Sequence, residues 1–234
     1  MLSTPAAAVA VAPPELVRLA GTVGSAPAST DPLQTLTDPA SLGAGSYAVT
    51  LAGSQAQLDF ADGTRIAIGE RAMLAVIAFD GQTTTIDLAR GALHVRVRKT
   101  SRIAVLTPTG GVALSDADAF VVTGPRGTEV ACVRCASTTL VAGPVGHQQL
   151  GTCRVGESTH DAISVGGATT IDNPAMDALT GGTDALESCR PRPRTHVDPT
   201  GSNPGSRDLL AKGWGTFTAG ALFAVLVMLG ARGA

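Results

Sequence analysis

The residues with the most chemical potential in this chain are its four cysteines, Cys132, Cys135, Cys153 and Cys189. Cys132-Val-Arg-Cys135 is a Cys-x-x-Cys, and with His147 and Cys153 it offers four soft ligands within 22 residues. Structural zinc takes four such ligands in a tetrahedron, often with a two-residue gap in one pair. An even number of cysteines equally fits two disulfides in an oxidising compartment, with three possible pairings. Redox activity would place the first cysteine at a helix N-terminus, where its thiol pKa falls. The flanks, Glu129-Val-Ala131 and Ala136-Ser-Thr-Thr-Leu140, read instead as strand. In a regular strand Cys132 and Cys135 point to opposite faces, so a direct bond is disfavoured and a bridge from either to Cys153 is easier. Disulfides or structural thiols are the leading expectation, and a zinc-binding structural module is the alternative.

Other constellations are sparse. His94, His147, His160 and His196 are scattered, and no Gly-x-Ser-x-Gly elbow accompanies them. No phosphate-binding glycine loop opens a helix, and carboxylates are not paired locally. The sequence therefore presents no catalytic site and implies no cofactor. Arg96, Arg98, Lys99 and Arg102 form the one basic cluster. An anionic partner such as a polysaccharide, a lipid headgroup or an acidic protein surface would suit it, although protection of an edge strand by charge explains it more simply. A formal net charge of −2 gives no bulk electrostatic case for nucleic acid.

Alternation and turns position these groups. Apolar residues make up 44% of the chain and aromatics 3%, so the core must come from Val, Ile, Leu and Ala; 28 Gly and 14 Pro favour turns over long helices. Gln55 to Phe60 alternates, Asp62-Gly63 and Asp80-Gly81 signal turns, and Arg65–Ile68, Ala72–Phe79 and Thr83–Leu88 read as strands. In Ala92 to Arg98, Leu93, Val95 and Val97 face inward while His94, Arg96 and Arg98 face outward. Arg102–Thr107, Ala119–Thr123, Glu129–Arg134 and Thr138–Ala142 continue the pattern. The expected fold is all-β, an antiparallel sandwich or β-roll of about ten short strands over residues 42–172. Residues 1–41, rich in Ala, Pro, Ser and Thr, read as a flexible leader or atypical signal, with a short helical turn over Glu15–Ala20. Residues 173–212 read as a Pro-, Gly- and Arg-rich linker. Residues 213–231 carry no charge, and as a helix rising roughly 1.5 Å per residue they would span about 28 Å, enough for one transmembrane helix.

Three blocks resemble the FecR-type domain family in order and spacing. They are Gly53-Ser-Gln-Ala-Gln-Leu-Asp-Phe-Ala-Asp-Gly-Thr-Arg-Ile-Ala-Ile-Gly69, Ile86-Asp-Leu-Ala-Arg-Gly-Ala-Leu-His-Val-Arg-Val97 and Arg102-Ile-Ala-Val-Leu-Thr-Pro108. The family's next segment, Arg-Gly-Thr-Glu/Asp-Phe, splits here: Asp116–Phe120 holds the place by spacing, Arg126–Val130 by residue type. The resemblance implies a periplasmic or surface β-domain that binds a protein partner or envelope polymer. In the regulators that name the family, it relays a signal from an outer-membrane transporter to a sigma factor. Those regulators carry a cytoplasmic helical region ahead of their membrane span, whereas here the span comes last, so their task does not transfer directly. Positive-inside counting, with Arg207 and Lys212 before the span and Arg232 after it, would keep the domain cytoplasmic. The cysteines and the resemblance point to a single-pass inner-membrane protein with the β-domain in the periplasm.

Overall fold

The computed structural model describes residues 12–136, 140–143, 145–167, 174–180 and 189. Antiparallel strands dominate. The first pieces are β1 (Glu15–Ala20), β2 (Val23–Ala26), β3 (Gln34–Thr35) and β4 (Ala40–Ser41). Next come β5 (Tyr47–Thr50), β6 (Gln55–Asp59), β7 (Arg65–Ile68) and β8 (Met73–Phe79). Two long strands follow, β9 (Thr83–Thr107) and β10 (Gly110–Gly124). Then β11 (Gly127–Cys135), β12 (Leu140–Gly143), β13 (Gly146–Gln149), β14 (Arg154–Ser158) and β15 (Ile163–Gly167) complete one 15-stranded sheet. One helix, α1 (Pro174–Thr180), is described. The expected class is borne out, but the strands are not about ten short ones: β9 alone runs 25 residues.

Most of the short strands are halves of long ones that turn a corner. β7 and β8 pair in turn with β9, from Arg65↔Arg96 to Ile68↔Leu93 and from Met73↔Arg90 to Phe79↔Thr84, with register shifts between Met73 and Leu74 and between Val76 and Ala78. β10 pairs β11 at one end and β12 at the other, and β5 and β6 pair β2 and β1 in the same way. The result is an antiparallel meander with bends in its strands, as closing a sheet over its own core requires.

Glycine makes one set of bends. Gly21 (φ 67°), Gly53 (φ 66°) and Gly91 (φ 103°) are left-handed, as is Arg71 (φ 53°). A Cβ on Gly91 would lie 2.5 Å from Ala72 Cα, and one on Gly21 would lie 2.4 Å from Ser54 Oγ. Only a residue without a side chain lets neighbouring strands approach this closely.

The core is aliphatic, as the composition requires. Leu16, Leu58, Ile66, Leu74, Ile86, Leu88, Leu93, Ile103 and Leu114 are among its fully buried side chains. Each contributes roughly 1.5–3 kcal/mol relative to exposure. Leu16, Val23 and Leu36 belong to this core, so residues 15–41 are built into the sheet, and Glu15–Ala20 is strand rather than a helical turn. Among the described residues no helix is long and apolar enough to cross a membrane. The expected span at 213–231 lies outside the described residues, as do the rest of the linker and His196.

Candidate functional site

Register lines charged residues up across the sheet. Glu15 faces Asp59, Asp59 faces Arg65, Arg65 faces Arg96, Arg96 faces Asp118, and Asp118 faces Arg134. Directly opposed residues share a face, so six strands carry one charged row. Within it, Arg65 pairs with Asp59 at 3.2 Å and Arg96 with Asp118 at 3.5 Å. His94, expected to face outward, is only 6% exposed. It does point away from the main core, but its ring stacks on Phe120 at 4.2 Å, and its Nε2 lies 2.6 Å from Asp118 Oδ1. Burial alone would raise the Asp118 pKa. The His94 hydrogen bond, with Coulombic attraction to His94, Arg96 and Arg134, outweighs it and holds the carboxyl below the ordinary range.

The remaining basic residues are arranged differently. Arg98, Lys99 and Arg102 are exposed, and among the described residues no carboxylate lies within ion-pairing distance of them. They occupy the bend of β9, opposite a register shift between Ser115 and Ala117 on β10. The Asp62-Gly63-Thr64 turn holds this bend in place. Asp62 accepts from the Thr64 amide at 2.9 Å, the Thr64 hydroxyl at 2.8 Å and Ser101 Oγ at 2.5 Å. Thr64 Oγ1 in turn accepts from the Arg98 amide at 3.1 Å. Burial would raise the Asp62 pKa, but these hydrogen bonds bring it below the ordinary carboxylate value. Beside the cations, Phe60 and Phe79 meet at 6.3 Å between ring centres, tilted by 51°. Together with Asp62, Ser101 and Ile103 they line a shallow recess.

Sulfur chemistry gathers at another bend. Cys132 is bonded to Cys135, and Cys153 to Cys189. The bond expected to be difficult is present because of a bulge. Ala117 and Ala119 of β10 face Cys135 and Cys132, while Asp118 faces Arg134, which leaves Val133 as the extra residue. Both cysteines therefore lie on one face and belong to the main core. Neither bonds to Cys153, although the Cys153 amide donates to Cys132 O at 2.9 Å. The zinc arrangement expected of Cys132, Cys135, His147 and Cys153 is not assembled. The three sulfurs are disulfide-bonded, His147 is exposed on β13, and no described group of three or more His, Cys, Asp or Glu could hold a metal ion.

Helix α1 covers a second apolar cluster on the sheet's other face. Its fully buried Met176 packs with Phe120, Ala131 and Val133, with Leu179 and Val155 at the margin. Gln55 Nε2 also donates to Ala178 O at 2.9 Å. Sequence reading assigned this segment to the linker, and its seven residues gave no helical period long enough to register.

Residues 46–136 match the family model described as FecR protein. This segment is similar to FecR-type domains. The matched segment holds the cation-bearing bend, the Asp62 turn and the Cys132–Cys135 bond, whereas β1–β4, β12–β15 and α1 lie outside it. The sequence matches no curated protein. Two crystal structures of a candidate anti-sigma factor from Parabacteroides distasonis ATCC 8503, at 1.65 and 2.50 Å resolution, are similar. Each aligns at 14% identity and a TM-score of 0.45, over 52% of this chain and 59% of that one.

Proposed function

We propose that the chain is a membrane-anchored signalling module that acts by binding an acidic protein partner rather than by catalysis. The observation that carries this reading is the bend of β9 in the FecR-type segment, where three exposed cations have no ion-pair partner among the described residues and an aromatic recess lies nearby. Unpaired charge steers an oppositely charged surface and fixes its register, and an adjoining aromatic recess offers an apolar anchor. Arg96 is already engaged by Asp118, so the binding set is Arg98, Lys99 and Arg102. In this reading residues 213–231 anchor the chain in the inner membrane, and the β-domain lies in the periplasm, where two disulfides would persist.

A photoreactive residue at position 99 in cells tests the binding role. The expected result is a discrete protein adduct that disappears when Arg98 and Arg102 are changed to Glu. An adduct unaffected by that reversal contradicts the assignment. A topology reporter fused before Leu209 tests location, and a cytoplasmic signal would overturn the periplasmic placement.

A further inference from the structure

The two disulfides differ in access and in what they hold. Cys132 is fully buried and Cys135 is 9% exposed. Cys153 and Cys189 are only partly buried. The inner bond closes a sequence separation of 3 within the end of β11, so cutting it releases nothing distant. The outer bond spans 36 residues and ties the segment following α1 back to the sheet beside Val133, whose carbonyl lies 3.9 Å from Cys153 Sγ and 3.7 Å from Cys189 Sγ.

The tie bears on helix α1. Seven residues are too few for a stable helix in isolation, since nucleation is costly and short helices are marginal in water. Its contacts include Met176 and Leu179 on the apolar cluster and the hydrogen bond from Gln55 to Ala178 O. A covalent tether raises the effective concentration of such a weak contact.

We propose that Cys153–Cys189 is a reducible clasp, and that a dithiol reductant opens it to release α1 from Phe120, Ala131 and Val133 while Cys132–Cys135 stays intact. A thiolate of the reductant attacks one sulfur of the pair, the S–S bond breaks, and the other cysteine leaves as a thiolate. The reductant's second thiol then displaces the first cysteine from the mixed disulfide. The pair gains two electrons and two protons and becomes two thiols, and the dithiol becomes a disulfide. Rates of such exchange follow access to the sulfur attacked, which selects the outer pair. Release would expose the apolar cluster now beneath α1, converting a redox event into a change of surface. This proposal does not depend on the identity of a binding partner.

The test is graded dithiothreitol treatment of the oxidised full chain, with alkylation of free thiols, mass mapping of the labelled cysteines and hydrogen exchange at each step. Cys153 and Cys189 are expected to label together at a dithiothreitol concentration about tenfold or more below that needed for Cys132 and Cys135. Amides of 175–180 should lose protection at the same step while β9 and β10 keep theirs. Simultaneous labelling of all four cysteines, earlier labelling of Cys132 and Cys135, or a helix that stays protected would overturn the proposal. The C153S/C189S variant is the second arm. It should retain the β-rich circular dichroism of the parent and show an exposed α1 without reductant, and loss of its sheet signal would show the bond to be a structural requirement instead.

Discussion

At one series of bends the strands turn mainly on glycine: Gly21, Gly53 and Gly91 adopt left-handed conformations, as does Arg71, and Ser54 and Ala72 fill the space beside Gly21 and Gly91. Elsewhere the turning is done by larger and more reactive groups. Asp116 (φ 45°) and Cys153 (φ 57°) take the left-handed conformations, a bulge at Val133 aligns two cysteines, and Arg98, Lys99 and Arg102 stand outside. Both solutions bend a long strand. The first does so, at Gly21 and Gly91, by close approach that leaves no room for a side chain. The second uses side chains and covalent bonds, which can be titrated, bound or reduced. The difference locates the rigid part of the molecule at the glycine bends and its candidate functional groups at the others.

Substitution at the glycines tests the rigid side most severely. Gly91→Ala should cost about 3 kcal/mol or more in urea unfolding, because backbone strain adds to a clash with Ala72. Gly53→Ala, at a φ of 66° inside the left-handed well and with nothing within 4 Å of the new Cβ, should cost only about 1 kcal/mol. Equal costs at the two sites would show that close approach is not what Gly91 supplies.

The face beneath α1 comes next. Phe120→Ala should destabilise by about 3 kcal/mol, because it removes the largest fully buried side chain among the described residues and the stacking partner of His94. That loss should be smaller in the C153S/C189S background, where release of α1 already uncovers Phe120.

Asp118→Asn should have a smaller effect, about 1–2 kcal/mol at neutral pH, through loss of a charged acceptor for His94 and Arg96. Its pH dependence is more diagnostic. The folded-state carboxyl titrates below its unfolded value, so its stabilisation is complete above about pH 4 and fades as pH falls through the folded value. The wild type should therefore lose more stability than the Asn variant on acidification, as read by chemical unfolding at several pH values. Parallel pH profiles would contradict the assigned role.

Changes at the exposed cations should be the mildest. Arg98→Ala and Arg102→Ala should each alter stability by no more than about 0.5 kcal/mol, since neither has an ion-pair partner among the described residues. A larger loss would assign those residues to structure rather than to recognition.

Much of the fold was legible because residues 53–107 obey local rules. Alternation over Gln55–Phe60 and Ala92–Arg98 and the Asp-Gly turns correspond to β6, β9 and the intervening hairpins. Residues 15–41 were misread because their contribution to the core is thin: Leu16, Val23, Ala26 and Leu36 lie amid Ala, Pro and Ser. The cysteine pairing was misjudged for a non-local reason. A bulge is a property of two paired strands, and the single residue it adds at Val133 inverts the facing rule that the sequence of β11 alone implies. His94 was rightly assigned away from the main core, but its partners Phe120 and Asp118 come from the neighbouring strand β10, which the periodicity of β9 alone does not reveal. For the basic cluster, alternation identified exposure but not partners. The register across β7, β9 and β10 separates the engaged Arg96 from Arg98, Lys99 and Arg102, which have no ion-pair partner among the described residues.

Hydrogen exchange of the full chain before and after limited reduction tests the contrast most directly. The account predicts that protection at 175–180 collapses while amides of β5–β9 around Gly53, Ala72 and Gly91 remain protected. Uniform loss across the sheet, or no change at the helix, would contradict it.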